Sequence, residues 1–257
     1  MKTLNQYIQE KLIINQRFDE RLIINKDYSD GKMYHPKSFD ELRKIIDDRY
    51  DKLGAGTKRN PIDFNDIDVS NLNSFCNNKY QGMFDRGLFE RTDFKYIDIS
   101  DWDVSNVKSM RRMFAKCEEL KSVGNISDWD VSNVTDMSSM FYRCELLKLV
   151  GDISGWDVSN VNNMSFMFYK CKNFNQDIYN WNVSNVRDMS FMFYKCENFN
   201  QNISSWNVSN VNTMIRMFEC CKSFNQDISN WDVSNVKFKG YAFRYCPIKE
   251  EYKPKFK

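Results

Sequence analysis

The sequence predicts an α/β solenoid with a helical N-terminal cap. Three observations predict it: a tryptophan that returns at a fixed interval, companion residues at fixed offsets from it, and a change of hydrophobic period within each interval. Trp102, Trp129, Trp156, Trp181, Trp206 and Trp231 stand 27, 27, 25, 25 and 25 residues apart, and self-similarity at a period of roughly 20–50 residues marks stacked repeats. Counted from each Trp, Val stands at offset two, Asn at four (Asn106, Asn133, Asn160, Asn185, Asn210, Asn235) and Cys at fifteen (Cys117, Cys144, Cys171, Cys196, Cys221, Cys246). Trp129-Asp130-Val131-Ser132 alternates apolar with polar residues, the period of a strand. Met137, Met140, Phe141 and Cys144 fall at i, i+3, i+4 and i+7, one face of a helix. One short parallel strand and one short helix are therefore expected in every 25–27-residue turn.

Taken in chain order, residues 1–35 read as a leader or tag. Their start has no continuous apolar core and no small-residue cleavage site, so it does not read as a secretory signal. No apolar run is long enough to cross a membrane. A cytoplasmic chain is expected, or a virion-associated one if a phage encodes it, with the cell surface reached only by a nonclassical route. Lys11-Leu12-Ile13-Ile14-Asn15 nearly recurs as Arg21-Leu22-Ile23-Ile24-Asn25, two short amphipathic pieces that cap the repeats or dock elsewhere. Residues 36–61 read as a capping helix and its link. Ser38-Phe39-Asp40-Glu41 is a capping box, and Phe39, Leu42, Ile45 and Ile46 make an apolar stripe to lay over the first turn.

Residues 62–246 hold one degenerate and six regular repeats. The degenerate unit has Asp66-Ile67-Asp68-Val69-Ser70-Asn71-Leu72 for a strand and Met83-Phe84 for a helix. In the last unit Lys239 and Ala242 replace the two Met residues, so both ends read as caps. The Ser-Asn pair after each strand is the corner, where a stacked Asn satisfies backbone groups. Later units join helix to strand through Phe-Asn-Gln, and the longer ones through Gly124 and Gly151, a bulge that leaves the register intact. Residues 247–257 form a charged tail, expected to fray.

The composition excludes several functions. With 37 basic and 35 acidic residues the net charge is +2, so no global basic field favours nucleic acid. His35 is the only histidine, which excludes a multi-histidine metal site within one chain, and it stands in the leader just before a helix, where a loop or cap role is expected rather than a His-based triad. No phosphate loop appears. Asp103, Asp130, Asp157 and Asp232 share a repeat position with Asn182 and Asn207, so that position asks for a hydrogen-bond acceptor rather than a proton shuttle. A weak cation site between Asp103, Asp130 and Asp157 stays open. The in-frame cysteines read as core, and Cys76 and Cys220, outside the frame, as the more reactive thiols of the chain, though still inert ones. No catalytic residue, cofactor or metal is assigned, and Asn182-Val183-Ser184 and Asn207-Val208-Ser209 are assigned no glycan.

The unit Ile153-Ser154-Gly155-Trp156-Asp157-Val158-Ser159-Asn160-Val161, followed by Met164, Met167-Phe168 and Cys171, resembles the BspA-like leucine-rich repeat of bacteria, mycoplasmas and their viruses. The resemblance spans roughly residues 62–246. It implies a right-handed, leucine-rich-repeat-like superhelix with the strands in one parallel sheet and the helices opposite. Many relatives are surface proteins or adhesins that contact host proteins.

Where the repeats vary, a binding face is expected. Offset ten holds Arg112, Ser139, Phe166, Phe191 and Arg216; offset thirteen holds Ala115, Tyr142, Tyr169, Tyr194 and Glu219. Three residues apart on a helix are neighbours, so Phe166, Tyr169, Phe191 and Tyr194 should make one patch edged by Lys116, Arg143, Lys170 and Lys195. Aromatic rings rimmed by cations suit a protein partner. The competing readings are a purely internal ring ladder and, for binding, the Asp/Asn and Ser row on the strand side. The functional expectation is a noncatalytic protein-binding scaffold. The alternative is a phage virion-associated structural protein docked through its leader.

Overall fold

The computed structural model describes residues 33–76, 87–90, 93–148 and 150–256. The expectations for the leader up to residue 32, for Met83-Phe84 and for Lys257 lie outside the described residues.

The single α-helix among the described residues, α1 (Phe39–Leu53), starts where the capping box placed it. The Ser38 hydroxyl accepts the Glu41 N–H at 3.2 Å, and the Glu41 carboxylate accepts the Lys37 N–H at 2.7 Å. Leu42, Ile45 and Ile46 are fully shielded beside Ile62, Phe64 and Ile67 of the first unit. The helix also carries two arginines onto that unit. Arg49, 5% exposed, grips both carboxylate oxygens of Asp66 at 2.6 and 3.0 Å and donates to the Asp63 carbonyl. Arg43 donates to the carbonyls of Gly87 and Leu88 at 2.7 and 2.8 Å.

Beyond the helix, each repeat is bonded to the next along its length. The pairs β1 (Ile62–Asp63) and β2 (Ile97–Asp98) run parallel. A row of single parallel bridges follows from Ser109 through Asp136, Asn163, Asp188 and Thr213 to Phe238. Every member of that row stands at offset seven, so the 27- and 25-residue units keep one register. The longer units absorb their extra residues at Gly124 and Gly151, with φ of 88° and 82°. A Cβ there would meet a side-chain oxygen of Asp98 or Asn125 at 2.4 or 1.9 Å, so glycine alone fits.

Two local expectations need correction. The strand is not at Trp-Asp-Val-Ser: that stretch lies between two β-turns (Trp129 N–H to Ile126 O, Val134 N–H to Val131 O), and the parallel ladder falls at offset seven. The alternation was nonetheless right about burial, with Trp129 and Val131 inside and Asp130 outside. Nor do the described residues hold a helix around the Met-Phe-Cys positions. There the chain runs as consecutive tight turns, with left-handed residues at offsets ten and fourteen of all six regular units (φ 53–63°).

The physical reason lies in the backbone donors. N–H groups at offsets eight, ten, twelve and fourteen donate to the next unit's carbonyls at offsets seven, nine, eleven and thirteen: Met137 to Asn163, Ser139 to Ser165, Phe141 to Met167, Arg143 to Tyr169. Those at offsets eleven, thirteen and fifteen close turns three residues back, as Met140 does onto Met137. A lone two-turn helix nucleates poorly, whereas this arrangement satisfies every second donor against a neighbour. The i, i+3, i+4, i+7 spacing survives because both conformations turn the same four side chains inward.

The core is built of columns. Phe114, Phe141, Phe168, Phe193, Phe218 and Phe243 stack at 5.2–5.9 Å, with Phe89 of the degenerate unit continuing the column at 5.4 Å. Trp129, Trp156 and Trp181 stack at 6.4 and 6.3 Å. The C-terminal tail, expected to fray, is packed against the last unit. Ile228 donates to the Tyr252 carbonyl, Pro254 is buried and Phe256 rests on Phe243.

Candidate functional site

Three of the fixed positions have chemistry that is used up inside the stack. Each in-frame Asn from Asn106 to Asn235 donates through Nδ2 to the carbonyl of a Ser in the preceding unit at 2.7–3.0 Å. The Asp/Asn position after Trp accepts the N–H of the Ser two residues on, whether it is Asp103, Asp130, Asp157 and Asp232 or Asn182 and Asn207. An acceptor is what that position needs. The Ser132 hydroxyl, together with its backbone N–H, draws the Asp130 carboxyl below the ordinary carboxylate range. Among the described residues no group of three or more His, Cys, Asp or Glu side chains could hold a metal ion.

The cysteines are likewise structural. Cys117, Cys144, Cys171, Cys196 and Cys221 are buried and donate S–H to a Phe carbonyl of the preceding unit. Burial pushes the Cys144, Cys171 and Cys196 thiols far above the usual range. Cys246, less deeply set, is pushed by burial up to about 11. Cys76, outside the frame, is 3% exposed, with the Ser74 and Ser109 hydroxyls at 3.3 and 3.7 Å. Cys220 is half-buried.

What remains open to a partner is the face of offsets ten, thirteen and fourteen. Phe166 and Phe191 stack at 4.5 Å; Tyr142, Tyr169 and Tyr194 stack at 4.7 Å each. The two columns meet at a tilt, Phe166 to Tyr169 at 5.7 Å and Phe191 to Tyr194 at 5.9 Å. The patch residues are neighbours for a different reason from the one expected: Tyr169 N–H bonds to the Phe166 carbonyl in a β-turn, where a helix was foreseen. All five rings are half-buried, so they pack on one another and still present one side outward. Burial beside its neighbours Tyr142 and Tyr194 also raises the Tyr169 phenol above its ordinary value.

The cationic rim is uneven. Lys116 is held by Glu90 and Arg143 by Glu118, each at 2.7 Å. Lys170 and Lys195 make no ion pair among the described residues and lie over Tyr169 and Tyr194, 5.7 and 5.5 Å from the ring centres. Two members were missed. Tyr142 extends the tyrosine column, and Arg216 lies 5.8 Å from the Phe191 ring centre. Both already stood in the offset-ten and offset-thirteen rows, and extending those rows by one unit each way would have included them.

The family described as "Mycoplasma protein of unknown function, DUF285" matches residues 59–150 and again 146–252, most of the chain. The chain belongs to this family. The two DUF285 matches meet within the unit of Trp129, so the repeat frame runs through both. No curated protein and no solved structure matches the chain. No helix among the described residues of this DUF285 protein is long and apolar enough to cross a membrane.

Proposed function

We propose that the stacked units form a right-handed, leucine-rich-repeat-like solenoid of the BspA type, and that it works as a noncatalytic scaffold holding a protein partner. The partner lies across Phe166, Tyr169, Phe191 and Tyr194, with Tyr142 extending the surface and Lys170, Lys195 and Arg216 at its edge. The observation that carries this reading is the double ring column, stacked at 4.5–4.7 Å and half-buried. Rings already immobilised by their neighbours lose little freedom on binding, and aromatic and arginine side chains dominate interface energetics. Lys170 and Lys195 offer their charge to an acceptor on the partner. The fixed Asp/Asn and Ser row is committed to the chain's own backbone and is the weaker candidate.

The test compares what the native chain and the Phe166→Ser, Tyr169→Ser, Phe191→Ser, Tyr194→Ser variant retain from the host's own extract, with thermal melting of both. The expected outcome is a folded variant that loses a partner kept by the native chain. A folded variant that keeps the partner would move the search to the Asp/Asn face. An unfolded variant would make the columns structural, and the Lys170→Glu, Lys195→Glu pair then tests the rim without disturbing the rings.

A further inference from the structure

Backbone hydrogen bonding between units is one-sided over offsets eight to fourteen. Between regular units the N–H groups at offsets eight, ten, twelve and fourteen point to the following unit and the carbonyls at offsets seven, nine, eleven and thirteen point to the preceding one, whereas at offset six the direction reverses, as the Thr135 N–H donates back to the Lys108 carbonyl. Over that stretch the stack has one end that presents acceptors and another that presents donors. At the acceptor end, two of the described carbonyls are covered. Leu88, whose carbonyl corresponds to those that elsewhere receive a preceding unit's N–H, is capped by the guanidinium of Arg43, and the Asp66 carbonyl receives the N–H groups of Met33 and Tyr34.

The donor end is covered only in part. The tail supplies one carbonyl, Tyr252 to the Ile228 N–H, and seats Phe256 on Phe243. The N–H groups of Tyr241, Phe243 and Tyr245 correspond to donors that bond forward in every earlier regular unit, and they have no acceptor among the described residues. Phe238, Tyr241 and Tyr245 around them are 60%, 57% and 68% exposed. This last stretch, 236–246, contains Lys237, Lys239 and Arg244 and no carboxylate. The nearby Glu219 is buried and already flanked by Arg216 and Arg244 at 3.4 and 3.9 Å.

We infer that this C-terminal edge is a second binding site, which takes an extended acidic polypeptide segment whose carbonyls receive the Tyr241, Phe243 and Tyr245 N–H groups while its carboxylates face Lys237 and Arg244. Other occupants fit the geometry less well. Two copies meeting end to end at this edge would set donors against donors. A head-to-tail copy would have to displace α1 and the Arg43 cap. An edge that offers donors at alternate residues is completed by an added strand, and the cationic rim selects an acidic one.

Hydrogen exchange on the full chain tests this, using a blocked peptide of alternating Glu and Val, about twelve residues long, and its Gln-Val counterpart as probes. In the free chain the amides of Tyr241, Phe243 and Tyr245 should exchange fast while those of Arg216, Phe218 and Cys220 are protected. The acidic peptide should protect the former set. The Lys237→Glu, Arg244→Glu variant should bind it at least about tenfold more weakly at an unchanged melting temperature; should that variant not fold, Lys237→Glu alone makes the comparison. Three results overturn the inference: no protection at saturating acidic peptide, equal protection by the neutral peptide, or slow exchange of the three amides in the free chain. Slow exchange independent of protein concentration would point to the chain's own leader, and slowing that rises with concentration to a second copy.

Discussion

Twelve non-glycine residues among those described hold a left-handed backbone, among them Phe166, Phe191 and Tyr241, although that conformation costs roughly 1–2 kcal/mol for an L-residue. The cost is tolerated because ten of the twelve donate their N–H to the next unit; only Tyr241 and Tyr245, at the open edge, do not. Apart from the buried Arg112, their side chains reach the outer face, where the variable aromatic and basic residues collect. Ser139, at φ 57°, isolates the strain. Ser139→Gly relieves it while adding about 0.5–1 kcal/mol of unfolded-state entropy, so a net gain of about 0.5–1 kcal/mol is expected in chemical denaturation. Ser139→Val should lose stability, since a β-branched residue resists positive φ. A loss with Gly would mean that the backbone there is relaxed. None of this was legible in the sequence, because no glycine marks the left-handed positions and Met, Met-Phe and Cys reproduce helical spacing without a helix.

Local elements were legible where a side chain itself supplies the signal. The Ser38–Glu41 box and the stripe of Leu42, Ile45 and Ile46 placed α1, and exchange of Asp with Asn inside the repeat disclosed the acceptor role of Asp103 and its equivalents. Arg43 and Arg49 were missed, since a cation on a helix reads as solvated until its partner is known. Arg49→Ala should destabilise by about 2–3 kcal/mol, less than the ~3–5 of a fully buried pair, because the Asp66 side chain stays 25% exposed. The Arg49→Ala, Asp66→Ala pair should cost less than the two single changes added, as a double-mutant cycle would record.

The Asx turns add a pH dependence. Burial raises the Asp68 carboxyl, but bonds from Ser70 and His35 outweigh it and leave Asp68 lowered; Asp130 is lowered by Ser132. Carboxyls depressed on folding contribute stability that is complete above their ordinary value of 3.8 and is lost as pH falls through the folded value. The denaturation midpoint should therefore fall below about pH 4. Asp130→Asn, the residue this chain itself uses at Asn182 and Asn207, should leave neutral stability unchanged and flatten the acid limb. An unaltered acid limb would remove Asp130 as a contributor.

At the scale of the whole molecule, the repeat frame was the most legible feature and the direction of its bonding the least. Register came through because Trp, Asn and Cys each hold a place that the neighbouring unit needs: Trp156 donates Nε1–H to Ile126, Asn160 donates to Ser132 and Cys171 to Phe141. In such a stack, stability is approximately a sum of unit and junction contributions, so the same substitution should cost more in the middle than at the end. Trp156 stacks on Trp129 and Trp181, whereas Trp231 has Trp206 on one side only. Both rings are nearly fully buried, at 3% and 4% exposed, so the transfer contribution is alike and the difference lies in the junctions. Trp156→Ala should cost about 3–5 kcal/mol, the range for emptying an aromatic site. Trp231→Ala should cost at least about 1 kcal/mol less, because the tail beside it can settle into the space while a middle unit is held by both neighbours. Urea denaturation followed by tryptophan fluorescence measures both. A broadened or two-step transition is expected for Trp156→Ala alone, as a weakened middle junction lets the two halves unfold separately. Equal losses with equally sharp transitions would show that the chain unfolds as one unit, in which the position of a repeat has no energetic meaning.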